Sequence, residues 1–229
     1  MMELAKARLY FSVGVEMEKA WLPRIKSFNP LLQVVATDSG LEKRLVSCAA
    51  ENEHSEEQKA YQGNEHEHNG EDPHIWLSPV MVKHQAEMMA RALISIDSSH
   101  GDAYKKRLDI FNREVDSLQA QITGMFDKCR ERKSFLVFHP SWGYFADVFS
   151  LTQIAIETKG REPGIREMGM IAERAKREKC GVLLVQPQFS RRSAEKIARH
   201  IGVTVAIADP LAENWPENLL NVAGVLCPQ

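Results

Sequence analysis

The stretch from Gly101 to Glu131 most limits what this chain can fold into. It contains no proline, and Leu108, Phe111, Val115, Leu118, Ile122, Met125, Phe126 and Cys129 recur at steps of three and four. That spacing places them on one stripe of a single helix. At 1.5 Å per residue, about thirty residues span roughly 45 Å, enough to cross a whole molecule. The apolar repeat is too short to favour a coiled coil. The helix therefore divides the chain into a part before it, residues 1–100, and a part after it, residues 132–229.

After the helix, the pattern alternates between short apolar runs and amphipathic segments. Strands are predicted at 134–138, 152–156, 182–186 and 203–207, and helices at 141–149, 164–179 and 190–200. Ser190 is a suitable N-cap for the last of these, and Gly202 a suitable stop. Strands separated by helices imply crossovers and a parallel sheet. Before the long helix, residues 2–8 read as a helix end, with strands at 9–13 and 32–36 and a helix over 16–27 within which Pro23 sits awkwardly. Ser78 and Pro79 open a helix that runs to about residue 94. The fold class is α/β.

Residues 51–71 differ from the rest. They are acidic, rich in histidine and nearly devoid of aliphatics. Such a segment cannot bury enough apolar surface to offset its ordering entropy and reads as a mobile loop. Elsewhere, 44% apolar and 26% charged residues fit a globular protein. The formal net charge of -2 argues against general nucleic-acid or anionic-membrane binding. No apolar run is long enough for a transmembrane helix. The first residues, Met1-Met2-Glu3-Leu4-Ala5-Lys6, lack the apolar core of a signal peptide. Cys48, Cys129, Cys180 and Cys227 form no C-x-x-C pair, so a thiolate zinc cluster is not expected. Two readings of them stay open: separate buried thiols, or a bridge that ties down the C-terminal tail.

Three residues stand where chemistry is expected. His74 lies in Asp72-Pro-His-Ile-Trp-Leu-Ser-Pro79, on a proline-bracketed turn before a helix. His139 follows one predicted strand and Asp209 another, and parallel α/β sheets gather ligands at the C-terminal ends of strands. Two imidazoles and a carboxylate suit Zn²⁺, which also wants about four donors in a tetrahedron. Taken singly, each has a blander role: a hydrogen-bonded histidine, or an aspartate in a turn. Trp76, Trp142, Tyr144 and Phe145 read as packing residues. His54, His66 and His68 with their neighbouring glutamates are candidate auxiliary donors in the acidic loop, which otherwise reads as a solvated linker.

The chain resembles the zinc-type metal-binding receptors (solute-binding proteins) of ABC importers. The likeness rests on Asp72–Pro79, on Phe138-His-Pro-Ser-Trp-Gly-Tyr-Phe145, and on Glu157-Thr-Lys-Gly-Arg-Glu-Pro163. It continues through Val185-Gln-Pro-Gln-Phe-Ser190 and Asp209-Pro-Leu-Ala-Glu213, with residues 7–21 resembling a first-lobe segment. The resemblance implies two βα lobes with parallel sheets joined by one long rigid helix, here 101–131. It implies metal ligands at His74, His139 and Asp209, and Zn²⁺ rather than Mn²⁺, because a histidine stands at position 139. It further implies a disulfide between Cys180 and Cys227, a membrane permease as partner, and a periplasmic or other extracytoplasmic location.

The family also carries an earlier ligand histidine that has no counterpart here, so the chain reads as a receptor with an incomplete first lobe. Such a lobe makes a second copy of the chain a candidate partner. A zinc hydrolase would need a general base beside a bound water, for which Glu157 and Glu162 are the candidates. A truncated, adhesin-like relative would fold without a tight metal site.

Overall fold

The computed structural model describes residues 2–46, 70–129, 131, 133–157 and 161–228. The first part opens with a short helix α1 (Met2–Lys6), strand β1 (Leu9–Ser12), helix α2 (Glu16–Phe28) and strand β2 (Gln33–Ala36). β1 and β2 pair in parallel, Leu9 opposite Gln33 and Ser12 opposite Ala36. The turn between β1 and α2 is built around the buried Glu18. Its carboxylate accepts the backbone N–H groups of Val13, Gly14 and Val15, at 2.8 Å for Gly14, and the hydroxyl of Tyr10 at 3.1 Å. Val13 and Gly14 lie in the turn and Val15 is the N-cap of α2, so one side chain satisfies three consecutive backbone amides that no strand or helix partner takes. Gly14 has φ +86°, and a Cβ there would run into the Asp38–Lys43 ion pair.

A 3-10 turn at Ile75–Leu77 leads into α3 (Pro79–Ile96). Ser78 caps α3 as its sequence suggests, its hydroxyl accepting from the Met81 N–H at 3.3 Å with proline in the first turn. Helix α4 (Gly101–Phe126) follows, about 39 Å long at its 26 residues. Val115, Leu118 and Ile122 form its buried face, three of the positions on the predicted stripe. It stops short of residue 131. The chain tightens after Phe126, with Lys128 N–H donating to Met125 O and Cys129 N–H to Phe126 O. Cys129 sits at helical spacing but belongs to the turn.

The second part alternates strand and helix: β3 (Ser134–Val137), α5 (Gly143–Val148), β4 (Thr152–Ala155), α6 (Ile165–Arg177), β5 (Val182–Val185), α7 (Arg191–Ile201), β6 (Thr204–Ile207) and α8 (Trp215–Leu226). Its sheet is parallel throughout, in the order β4-β3-β5-β6. Both faces are covered, as an all-parallel sheet requires. Leu118, Ile122, Trp142, Phe145, Leu219 and Val222 pack on one face, and Ile171, Ala175, Ala194 and Ala198 on the other. Ser190 and Gly202 bound α7 as expected, Gly202 in the left-handed region at φ +88°. Among the described residues the architecture is two parallel sheets with the long α4 between them in sequence. No described helix is long and apolar enough to cross a membrane.

The disulfide differs from the expectation. Cys227 pairs with Cys129, not with Cys180, at a Cα–Cα separation of 5.7 Å. The reason lies in helix packing: α8 lies against α4, so the residues just past their C-terminal ends meet. Cys180 is a free thiol between α6 and β5. Burial pushes that thiol up to about 12.

Candidate metal centre

His74 and His139 are brought together from opposite sides of α4 in sequence. Their rings lie edge to face with centroids 5.6 Å apart. Each is held in the same manner. His74 Nδ1 lies 2.7 Å from Asp72 Oδ1, and the same oxygen accepts the His74 backbone N–H at 3.0 Å. His139 Nδ1 lies 3.2 Å from Glu157 Oε2. A carboxylate on Nδ1 fixes that nitrogen as the N–H and leaves Nε2 with its lone pair. This is the arrangement that presents an imidazole to a metal.

The strand register explains Glu157. β3 and β4 are neighbours with Val137 opposite Ala155. Two residues further on, past both strand ends, His139 and Glu157 stand side by side, with Glu157 N–H donating to Phe138 O at 2.9 Å. Asp72 is explained locally, because an aspartate before proline can turn its carboxylate onto the backbone two residues on. Neither residue was expected to serve the histidines. Asp72 was visible in its motif. Glu157 required the strand order, which spacing does not contain.

The segment that carries His74 is fastened to the second part of the chain. Trp76 Nε1–H donates to Pro210 O at 2.7 Å, and Trp215 Nε1–H donates to Trp76 O at 2.8 Å. Tyr144 O–H donates to Asp72 O at 2.8 Å. Burial pushes the Tyr144 phenol up to about 12, so it remains a donor at any physiological pH. Trp142 and Phe145 are buried core residues, as read from the sequence. Trp76 and Tyr144 are polar fasteners as well as packing residues.

Asp209 follows β6, adjacent to the Pro210 carbonyl that Trp76 holds. Its Oδ1 accepts the Leu211 N–H at 2.9 Å, and its carbonyl accepts from Asn218 Nδ2 at 2.8 Å. Among the described residues no three His, Cys, Asp or Glu side chains already converge as a donor set. The two imidazoles are preassembled, and Asp209 is the neighbour of Pro210, whose carbonyl anchors the His74 segment. His54, His66 and His68 lie outside the described residues.

Comparison with known proteins identifies the family and the fold. A family model described as "Zinc-uptake complex component A periplasmic" (ZnuA) matches residues 1–221. The chain is 27% identical over 225 residues to the high-affinity zinc uptake system protein ZnuA of Yersinia pestis, covering 91% of this chain and 69% of that protein. It is 29% identical over 142 residues to the protein of the same description from Haemophilus influenzae, covering 61% of this chain and 42% of that one. A crystal structure of a ZnuA deletion mutant with zinc bound superimposes with a TM-score of 0.83 at 32% identity, covering 98% of this chain and 79% of that chain.

Proposed function

This chain belongs to the periplasmic zinc-uptake component A family, and on that premise we propose that it captures Zn²⁺ outside the cytoplasm and passes it to an ABC transporter permease. It is a binding protein and not an enzyme. The observation that carries this reading is the pair of imidazoles at His74 and His139, 5.6 Å apart with both Nδ1 atoms on carboxylates.

Zinc is the cargo. The Nε2 atoms of His74 and His139 are its first two donors and the Asp209 carboxylate its third, with water in the fourth position. Imidazole donors favour Zn²⁺, whereas Mn²⁺ favours carboxylate and carbonyl oxygen. His54, His66 and His68 act as weaker, auxiliary donors. The hydrolase alternative loses one of its two candidate bases. Glu157 is engaged with His139 Nδ1 at 3.2 Å, so it orients an imidazole and is not free to activate water.

Calorimetric titration of the metal-stripped chain with Zn²⁺ tests the proposal, with His74→Ala/His139→Ala as control. One tight equivalent that the control loses is the expected result. Weak, multiple binding that the control retains would overturn it.

A further inference from the structure

Arg44 lies thirty positions before His74 in the chain and was not singled out by any motif, yet it meets the metal centre at several points. Its carbonyl accepts the Asp72 N–H at 2.8 Å. Its own N–H donates to the Tyr144 hydroxyl at 3.0 Å, the same hydroxyl that donates to Asp72 O. Its guanidinium spans two carboxylates from different parts of the chain. Nε lies 3.9 Å from Asp72 Oδ2, and Nη1 donates to Asp147 Oδ2 on α5 at 3.0 Å.

The guanidinium also rests on Gly143, at the start of α5. A Cβ on Gly143 would collide with Arg44 Cζ at 2.6 Å and with Nε at 2.9 Å. The absence of a side chain at position 143 is therefore what lets the planar group lie there. The Tyr144 ring is 5.9 Å from Cζ, adding a cation–π contact.

Asp72 Oδ1 faces His74 and Oδ2 faces Arg44, and the carboxylate is almost wholly buried, its side chain 2% exposed. A buried carboxylate with one oxygen on a cation and the other on an imidazole has little freedom to rotate. We propose that Arg44 is a positioning residue of the metal centre: seated on Gly143 and anchored at Asp147, it fixes the Asp72 carboxylate and thereby the ring orientation and Nδ1–H tautomer of His74. The metal-affinity consequence rests on the function proposed above, whereas the tautomer consequence does not. Arg44 touches no metal; it acts through Asp72.

The test uses the full chain with Arg44→Ala and with Gly143→Ala, which keeps the arginine but pushes its guanidinium off the helix. A helical glycine tolerates alanine, and the colliding atoms belong to a flexible side-chain end, so the second variant stays folded if the first does not. Nitrogen-15 correlation spectra of the metal-free protein report the His74 tautomer directly. Both variants should convert the His74 signals from one Nδ1–H form to a mixture and leave His139 unchanged. Zinc affinity, read by chelator competition, should fall about tenfold, the lower range for an outer-shell partner.

Wild-type His74 signals in either folded variant would overturn the proposal. So would a tautomer change accompanied by unchanged affinity in a wild type that binds zinc tightly. A wild type without tight zinc binding would refute the receptor reading, and the spectra alone would then decide the role of Arg44.

Discussion

Asp72 and Glu157 stand in equivalent relation to His74 and His139: each places one carboxylate oxygen on an Nδ1, at 2.7 and 3.2 Å. Glu157→Gln should therefore weaken zinc binding while leaving the fold intact. The amide can accept the same hydrogen bond but carries no charge to raise the basicity of the imidazole. A drop of about 10–100-fold is expected by chelator competition. Unchanged affinity would mean that the His139–Glu157 contact does not serve the metal.

Removal of a ligand should cost more than removal of its support. His74→Ala and His139→Ala should each lower zinc affinity by more than the roughly 100-fold upper range of an outer-shell change. Asp209→Ala tests the donor that does not group with the other two among the described residues. Isothermal titration of the three variants ranks them. An Asp209 variant that binds like wild type would leave the site to the two imidazoles and water.

Trp76→Phe should destabilise the chain. Phenylalanine fills most of the indole volume but lacks the N–H that reaches the buried Pro210 carbonyl. An orphaned buried acceptor costs about 1–3 kcal/mol, measurable as a lower urea midpoint. The same variant should loosen zinc, since it frees the segment that carries His74. A wild-type midpoint would contradict this assignment.

Cys129 and Cys227 close a loop with a sequence separation of 98. Removing a link of this kind costs about 2–4 kcal/mol in the usual range, which for a chain of this size lowers Tm by about 2–4 °C per kcal/mol. Cys129→Ser and Cys227→Ser should show equal losses by calorimetry, and Cys180→Ser should not match them. Peptide mapping of the unreduced protein should recover a linked 129–227 pair. A linked 180–227 pair would contradict the structure.

Alkaline pH should weaken the fold through Cys180 and Tyr144. Burial pushes both from ordinary values of 9.0 and 10.0 up to about 12. Below about pH 9 both groups are protonated in the folded and unfolded chain alike, so the contribution is whole. Between about 9 and 12 the unfolded chain has released protons that the folded chain keeps, and stability falls as pH rises. Tm measured across that window should decline, less steeply in Cys180→Ala. Iodoacetamide at about pH 8 should label Cys180 only after denaturation, because the reactive thiolate is scarce in the folded chain. Labelling of Cys180 itself in the native protein would contradict the raised thiol.

The elements were legible where local chemistry determines them. The apolar stripe of α4, the Ser78 and Ser190 caps and the Gly202 stop all depend on neighbours within a turn, and all are present. Helix α8 had a signal that went unread: Asn214-Trp215-Pro216 opens it, and Leu219, Val222, Ala223 and Leu226 form its buried stripe. The histidines and the aspartate were visible through motif and strand-end position. Their supports were less so. Pairing His139 with Glu157 depends on β4 lying beside β3, and pairing Cys129 with Cys227 depends on α8 lying along α4. Arg44 was invisible, because its meaning depends on a bare glycine 99 positions later.

The two indole bonds have a kinetic consequence. Trp76 gives its N–H to Pro210 and receives one from Trp215. The strand of chain that presents His74 is thus moored to the same half of the molecule that presents His139. Swinging the two halves apart would not by itself spread the imidazoles; both moorings, and the Tyr144 bond to Asp72, would have to give way first. With each bond worth about 1 kcal/mol net, three breaking together would slow spontaneous escape of a bound ion by roughly two orders of magnitude. With zinc as the cargo, as proposed, these moorings predict a long dwell time that any molecule supplying the work of opening would shorten.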